Sequence, residues 1–433
     1  MEDDELPYAL RDFPATPIEV SSPDVWDICE QFGLGLQDTL TVHRAFLLTL
    51  RRFAPFNTWL AAGILRDLRR EVARDRSVRI AFVARDGHVL AAAVRGLDPE
   101  LFDRYCTEIR VSRKALEPLW KDAAGGELPL DEKAFRGYKG SFSAETAAGA
   151  VGHARAYLRE RGLPVDSPGA RVVLVDNGLR GSIGEVFHLV FGWDTFSHLG
   201  VASVPARHPR PDRIKGHLVH AGPDAWRGQI DYLPDEWSRT FLSSYVMRIW
   251  ETFTSGPLKT VDHIGPDGPV AGREATWVKP RIPRRWANPR AVLALRTSVL
   301  LAAHTHAVAQ RSRRLGKVMR RNRPGRDRFV ADMRRLVRGD PTLDSEYADM
   351  MWTTSHRRTA PTSQEWDTEV MNSFTAKDPS MFVPTPRAWR IPGITSRMVA
   401  FRAPTEVCVK CPDPPPPIAL PTRIQGRGLE LRR

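Results

Sequence analysis

The stretch Arg171-Val-Val-Leu-Val-Asp176-Asn177-Gly178-Leu-Arg180-Gly181-Ser182-Ile-Gly184-Glu185 decides how the rest of the chain is read. Val172 to Val175 form an unbroken apolar run, the pattern of a strand buried on both faces, as in parallel sheets. The run stops at Asp176; Gly178, Gly181, Ser182 and Gly184 follow closely, and Val186 to Phe191 continue as an apolar helix. A strand ending on Asp176, a turn of small residues and a helix N-terminus are therefore predicted in that order. Backbone N–H groups in such a turn can converge on an anion, and the helix dipole favours negative charge there. A phosphate-bearing ligand at residues 176–182 is the expectation.

Working outward, Val78 to Ala84 read as another buried strand, followed by a tight turn at Arg85-Asp86-Gly87 and a helix of small apolar residues. Glu108 to Lys114 read as a further strand, and residues 121–141 as a loop or lid. Ser143 is a candidate N-cap for a helix to about Arg161, stopped by Gly162 and Pro164. Leu199 to Val204 and Gly216 to Ala221 read as two more strands. This alternation predicts an α/β fold with a mostly parallel sheet. In such folds ligands sit beyond the carboxyl ends of the strands, where both turns fall.

The flanks read differently. Residues 24–74 are helical in pattern, one helix over Thr41–Phe53 and another over Asn57–Arg74, with Pro55 expected to break them apart. Residues 236–256 carry Trp237, Phe241, Tyr245, Trp250 and Phe253 and read as a helix used for core packing. Glycine and proline from Gly256 to Pro283 read as a linker, residues 287–340 as two helices, and the proline-rich segment from Pro384 as extended. The expected organisation is an N-terminal helical extension (1–76), an α/β core (77–270), a basic helical region (284–345) and an irregular, proline-rich tail (346–433).

With 42% hydrophobic and 27% charged residues among 433, the composition is that of globular protein. No run reaches about 18 uninterrupted apolar residues, so no membrane insertion is expected. The N-terminus, Met1-Glu2-Asp3-Asp4-Glu5, is acidic and opens no secretory leader, so a cytoplasmic location is expected. Four cysteines make no disulfide framework. Cys408-Val-Lys-Cys411 has the spacing of half a zinc knuckle, but no second pair exists and the nearest histidine upstream is His356, so zinc is not expected there. His304 and His306 are two apart on a predicted helix and point different ways.

Residues 281–433 hold 29 Lys and Arg against 13 Asp and Glu, whereas the other 280 hold 35 against 38. The basic character thus belongs to the C-terminal third. Its densest part runs from Arg311 to Arg328, a candidate nucleic-acid contact through phosphates, although no aromatic residue within it offers base stacking.

Val-Val-Leu-Val-Asp176-Asn177-Gly-Leu-Arg-Gly181-Ser182 resembles the sugar-phosphate loop of type I phosphoribosyltransferases. The resemblance covers roughly residues 77–222 and implies a sheet of phosphoribosyltransferase type. It implies that Asp176 and Asn177 position the ribose, and that Gly178, Arg180, Gly181 and Ser182 hold the 5-phosphate. Arg85, Asp86 and Gly87 would meet the pyrophosphate, with Ser112, Arg113 and Lys114 on a basic strand beside it and Mg2+ bridging pyrophosphate and ribose oxygens. Phosphoribosyl or related glycosyl transfer is the activity so implied, with Asp176, Asn177 and Asp86 as its catalytic residues. Asn177 stands where that family carries a second acid, which also suits a non-catalytic sensor or scaffold that recruits nucleic acid or protein through the basic region.

The Arg85-Asp86-Gly87, Ser112-Arg113 and Asp176-x-Gly178-x-x-Gly181-Ser182 blocks also resemble a group of bacterial glycan-cluster proteins often labelled haloacid-dehalogenase-like. The run from Ile249 through Glu251 to Pro257 extends that likeness to about residue 270. Phosphohydrolase chemistry of the dehalogenase type uses an Asp-x-Asp pair. Here the residue two after Asp176 is Gly178, and two after Asp86 is His88, a candidate proton donor to a leaving group.

Overall fold

In the computed structural model, residues 24–84, 86–123, 148–204, 208–222, 240–241, 244–255, 261–271, 286–337, 340–348 and 350 are described. The lead-in, Arg85, Ser143, most of the expected lid, the tail and the Cys408/Cys411 pair lie outside them. Five strands form one parallel sheet: β1 (Arg79–Val83), β2 (Cys106–Ile109), β3 (Arg171–Leu179), β4 (Asp194–Ser203) and β5 (Ile214–Ala221), in the order β2-β1-β3-β4-β5. The α/β expectation is met.

Alternation along the strands assigns each face. Ala81, Val83, Val172 and Leu174 join one apolar cluster, and Ile80, Phe82, Val173 and Val175 join the other. The chain leaves β1 for β2 on one side and returns as β3 on the other. The carboxyl ends of β1 and β3 therefore flank the switch point at which a doubly wound sheet opens a crevice.

On the first face lie α6 (Arg113–Ala123), α7 (Ala150–Glu160) and α8 (Ser182–Phe191). Gly162, at φ 73°, ends α7 as expected. The expected linker instead contains a hairpin, β6 (Val261–Gly265) and β7 (Gly268–Ala271), whose Val261 and Ile264 are buried in that same cluster.

The opposite face is covered by helices from both ends of the chain: α1 (Val25–Gln31), α2 (Leu36–Leu48), α3 (Ala54–Arg74), α4 (Gly87–Leu97), α5 (Pro99–Tyr105), α9 (Ser244–Ser255), α10 (Pro289–Val308) and α11 (Leu315–Val337). The short α12 (Pro341–Tyr347) adds Leu343 and Tyr347 to their core. Phe56 of α3 stacks on Phe329 of α11 at 4.5 Å and on Phe241 at 5.3 Å, and meets Trp250 of α9 edge-on. The N-terminal helices and the basic region are thus parts of one core, not appendages.

Pro55 does not break the N-terminal helices apart. A π-helical turn (Thr49–Phe53) joins α2 to α3, and Pro55 occupies the first turn of α3, where its missing N–H has no intrahelical acceptor. The segment Arg290–Val308 of α10 is long and apolar enough to cross a membrane by length and composition, but 78% of its apolar window is buried within the protein.

Candidate functional site

A hollow of about 150 Å³ opens at the carboxyl ends of β1, β3 and β4. Three carboxylates line it: Asp86 after β1, Asp176 on β3 and Glu251 on α9. So do four basic residues, Arg110, Arg113, Lys114 and Arg180, together with Ser112, Gly178, Gly181 and Ser182. The structure therefore gathers both expected turns and the Ser112 block around one space.

The path of β3 differs from the expected one. The strand continues past Asp176 to Leu179, because Gly178 and Leu179 pair with Val201 and Ala202 of β4. The turn shrinks to Arg180 and Gly181 before α8 begins at Ser182. Gly178 is required by packing, since a Cβ there would lie 2.4 Å from the Val201 carbonyl oxygen and φ is 144°. Gly181, at φ 67°, is the N-cap residue, so Ser182 lies inside the helix and its hydroxyl makes no cap. Buried Ser182 faces the hollow.

Strand alternation also separates the expected acid pair. Asp176 shares its face with Leu174 and lines the hollow; Asn177 shares its face with Val175 and is buried on the other side. Among the described residues, neither polar side-chain atom of Asn177 has a hydrogen-bond partner there. Asn177 is thus removed from the expected ribose contact. Gly87 is removed as well: it does not line the hollow, and a Cβ on it would lie 3.0 Å from the Val175 carbonyl oxygen, so it allows α4 to approach β3.

Ser112 and its neighbours do not form a basic strand. Ser112 accepts from the Ala115 N–H at 3.1 Å at the start of α6, and its hydroxyl donates to the Val261 carbonyl. The hydroxyl's donor is therefore committed to the hairpin. Lys114 forms an ion pair with Asp262 of the same hairpin. Arg110, Arg113 and Arg180 line the hollow beside it.

The electrostatics centre on Asp176. Burial pushes its carboxyl up to about 8, with the Asp86 and Glu251 carboxylates adding to the rise. The Asn177 N–H, donating to Asp176 Oδ1 at 2.7 Å, and the Arg113 guanidinium act in the opposite direction. Asp86 is fixed from α9 by the Thr254 hydroxyl, which donates to its Oδ1 at 2.9 Å. Behind α8, buried Glu185 takes a bidentate contact from Arg210 at 3.0 Å, and Arg210 reaches Thr195 of β4 at 2.7 Å, tying helix, strand and β4–β5 connection together.

His88 is no proton donor to a ligand. It is buried in α4 away from the hollow. Arg296 approaches its Nδ1 at 3.2 Å, and a guanidinium only donates, so the ring proton is on Nε2, facing Glu108 at 3.6 Å. Burial also holds the imidazole well below its usual range. Of the other histidines considered, His306 bonds Thr58 Oγ1 at 2.9 Å through Nδ1.

The local sequence around Glu251 and Thr254 carries no signal of a site. They sit in an aromatic helix whose periodicity signals core packing. No protein-family model matches this chain, and no curated protein matches it.

Proposed function

We propose that the hollow binds a phosphorylated sugar or nucleotide together with Mg2+, and that the protein transfers a phosphoribosyl or related glycosyl group. One observation carries this reading: at the switch point of a parallel sheet, Asp86, Asp176 and Glu251 face the same small space as Arg110, Arg113 and Arg180. Cations alone suit a free anion, and carboxylates alone suit a metal. The mixture suits a phosphate ester carried with a hard divalent cation.

The donor set fits Mg2+, which takes one or two carboxylates and completes its shell with water and phosphate oxygens. Asp86 and Asp176 would hold it, and when bound it would neutralise charge on the departing phosphate group. Arg113 and Arg180 orient the phosphates, and Thr254 keeps Asp86 turned into the space. An acceptor's lone pair forms the new bond at the anomeric carbon as pyrophosphate leaves with the old bonding pair. The burial of Asn177 leaves Asp176 to position the sugar without a neighbouring partner.

A second reading, phosphoryl hydrolysis, is favoured by one particular feature. Asp86 and Ser112 follow β1 and β2, Asp176 lies within adjacent β3, and the Asp86 carboxylate helps to hold the Asp176 carboxyl up. Incubation of the full chain with phosphoribosyl pyrophosphate and Mg2+ separates the two readings. Transfer, or its hydrolytic counterpart at the anomeric carbon, releases pyrophosphate; phosphohydrolase action releases orthophosphate. Release of neither, across a panel of sugar phosphates and acceptors, would leave the sensor or scaffold reading in their place.

A further inference from the structure

On the face of the sheet away from the hollow, three buried side chains from three elements converge: Asp67 of α3, His198 of β4 and His217 of β5. Each offers a ligand atom, and these atoms all lie within 4.8 Å of one another. We infer that Asp67, His198 and His217 form a binding site for a divalent transition metal of the zinc class, clamping α3 to β4 and β5.

The geometry between the histidines is the first support. His198 Nδ1 and His217 Nε2 are 3.0 Å apart. That separation suits two nitrogens each about 2.0–2.1 Å from one metal. As a hydrogen bond between neutral rings, it requires one ring to donate and the other to accept. The second support is the third ligand: buried Asp67 brings a carboxylate oxygen within 4.8 Å of a ligand nitrogen on each ring, from a different element of the fold. A metal between or beside the rings fixes both tautomers and removes the need for one ring to donate to the other.

The protonation state agrees with this arrangement. Burial holds His198 down at about 4 and His217 well below its usual range, so both rings are neutral and keep a lone pair near neutral pH. Two imidazoles and a carboxylate are a ligand set for zinc or ferrous iron, not for Mg2+ or Ca2+.

The metal-free form has its own counter-ion. Lys215 Nζ sits 2.6 Å from Asp67 Oδ2, and Arg70 meets Oδ1 at 2.8 Å. The Lys215 side chain is 42% exposed and the Arg70 side chain 61%. Both can turn outward to water, so a metal can take the inner side of Asp67 without stranding a buried cation. The prediction that follows is unusual for a structural ion pair: removing Lys215 strengthens metal binding.

The test uses the full chain, stripped with a chelator and titrated with Zn2+ and with Co2+ as a visible-absorbing surrogate. The wild type should take up the metal with the d–d bands of a histidine-ligated Co2+ site. His198→Ala and His217→Ala should each weaken uptake by more than roughly 100-fold, beyond the loss typical of an outer-shell partner. Lys215→Met should tighten it. X-ray absorption at the zinc edge of wild-type protein should show two histidine ligands, which keeps the test valid if an alanine variant fails to fold. The inference is overturned if wild-type uptake equals that of the His198→Ala/His217→Ala double variant, or if the edge spectrum shows no histidine. It is also overturned if Lys215→Met lowers stability without tightening metal binding.

Discussion

Thr254 of α9 donates its hydroxyl to Asp86 Oδ1 at 2.9 Å, linking a helix that follows the sheet by more than twenty residues to the first turn of the α/β core. The same hydroxyl lies 3.1 Å from the Trp250 carbonyl, a second acceptor that competes with Asp86 for its single proton. Asp86 is oriented by α9, which also carries Glu251 into the hollow.

Replacing Thr254 by valine keeps the shape and deletes this donor. Losing a hydrogen bond to a carboxylate should cost about 1.5–3 kcal/mol. Urea denaturation should show the loss, and ligand affinity at the hollow should fall with it. An unchanged urea midpoint would mean that Asp86 does not depend on Thr254.

The raised carboxyl of Asp176 predicts a pH dependence with a definite sign. In the folded, metal-free protein this group keeps its proton to about 8, whereas unfolded it releases it near 3.8. Between those values the folded state holds the extra proton, so this group's contribution to stability declines as pH rises. Mg2+ binding requires the ionised form, so Mg2+ affinity should climb with pH and level off above about 8. Calorimetric titration over a pH series, repeated with Asp176→Asn, checks the slope; a flat profile in the wild type would remove Asp176 from the metal.

Gly178 cannot accept a side chain. In Gly178→Ala the new Cβ would be pressed against the Val201 carbonyl oxygen, forcing β3 and β4 apart where they pair. The expected loss exceeds about 2 kcal/mol, counting both the clash and the positive φ. Gly152, with open space around its Cβ position, provides the contrast: Gly152→Ala should be neutral or slightly stabilising in the same denaturation experiment.

These predictions also mark what could be read from the residues alone. The buried strands were legible, because Val172–Val175 and Ile80–Val83 are apolar without interruption. So was the placing of both turns beyond strand ends in a parallel sheet, whereas the strand order that sets β1 beside β3, and so gathers Asp86, Arg113, Asp176, Arg180 and Ser182, was not. The length of β3 was not legible: Asp176 ends the apolar run, and only pairing with β4 carries the strand to Leu179. With three more residues extended, Asn177 must turn to the opposite face. Helix α6 was missed because Pro118 lies inside it, and a proline there ordinarily argues against a helix. The hairpin from Val261 to Ala271 has the glycine and proline content of a linker, and just two of its apolar residues, Val261 and Ile264, join the core.

The shared aromatic core predicts that the two ends of the chain unfold together. Phe329→Ala, in the basic helix α11, removes contacts to Phe53, Phe56 and Phe253. It should cost about 3–5 kcal/mol and lower protection of amides in α3 as well as α11. Hydrogen exchange that changes in α11 alone would mean that the basic region is an independent unit.

The most direct test of the central claim is calorimetric titration of the full chain with phosphoribosyl pyrophosphate, with and without Mg2+. Saturable binding that needs Mg2+ and is lost in Asp176→Ala and in Arg180→Ala is the predicted result. Absence of binding, or binding unaffected by Mg2+ and by both substitutions, would contradict it.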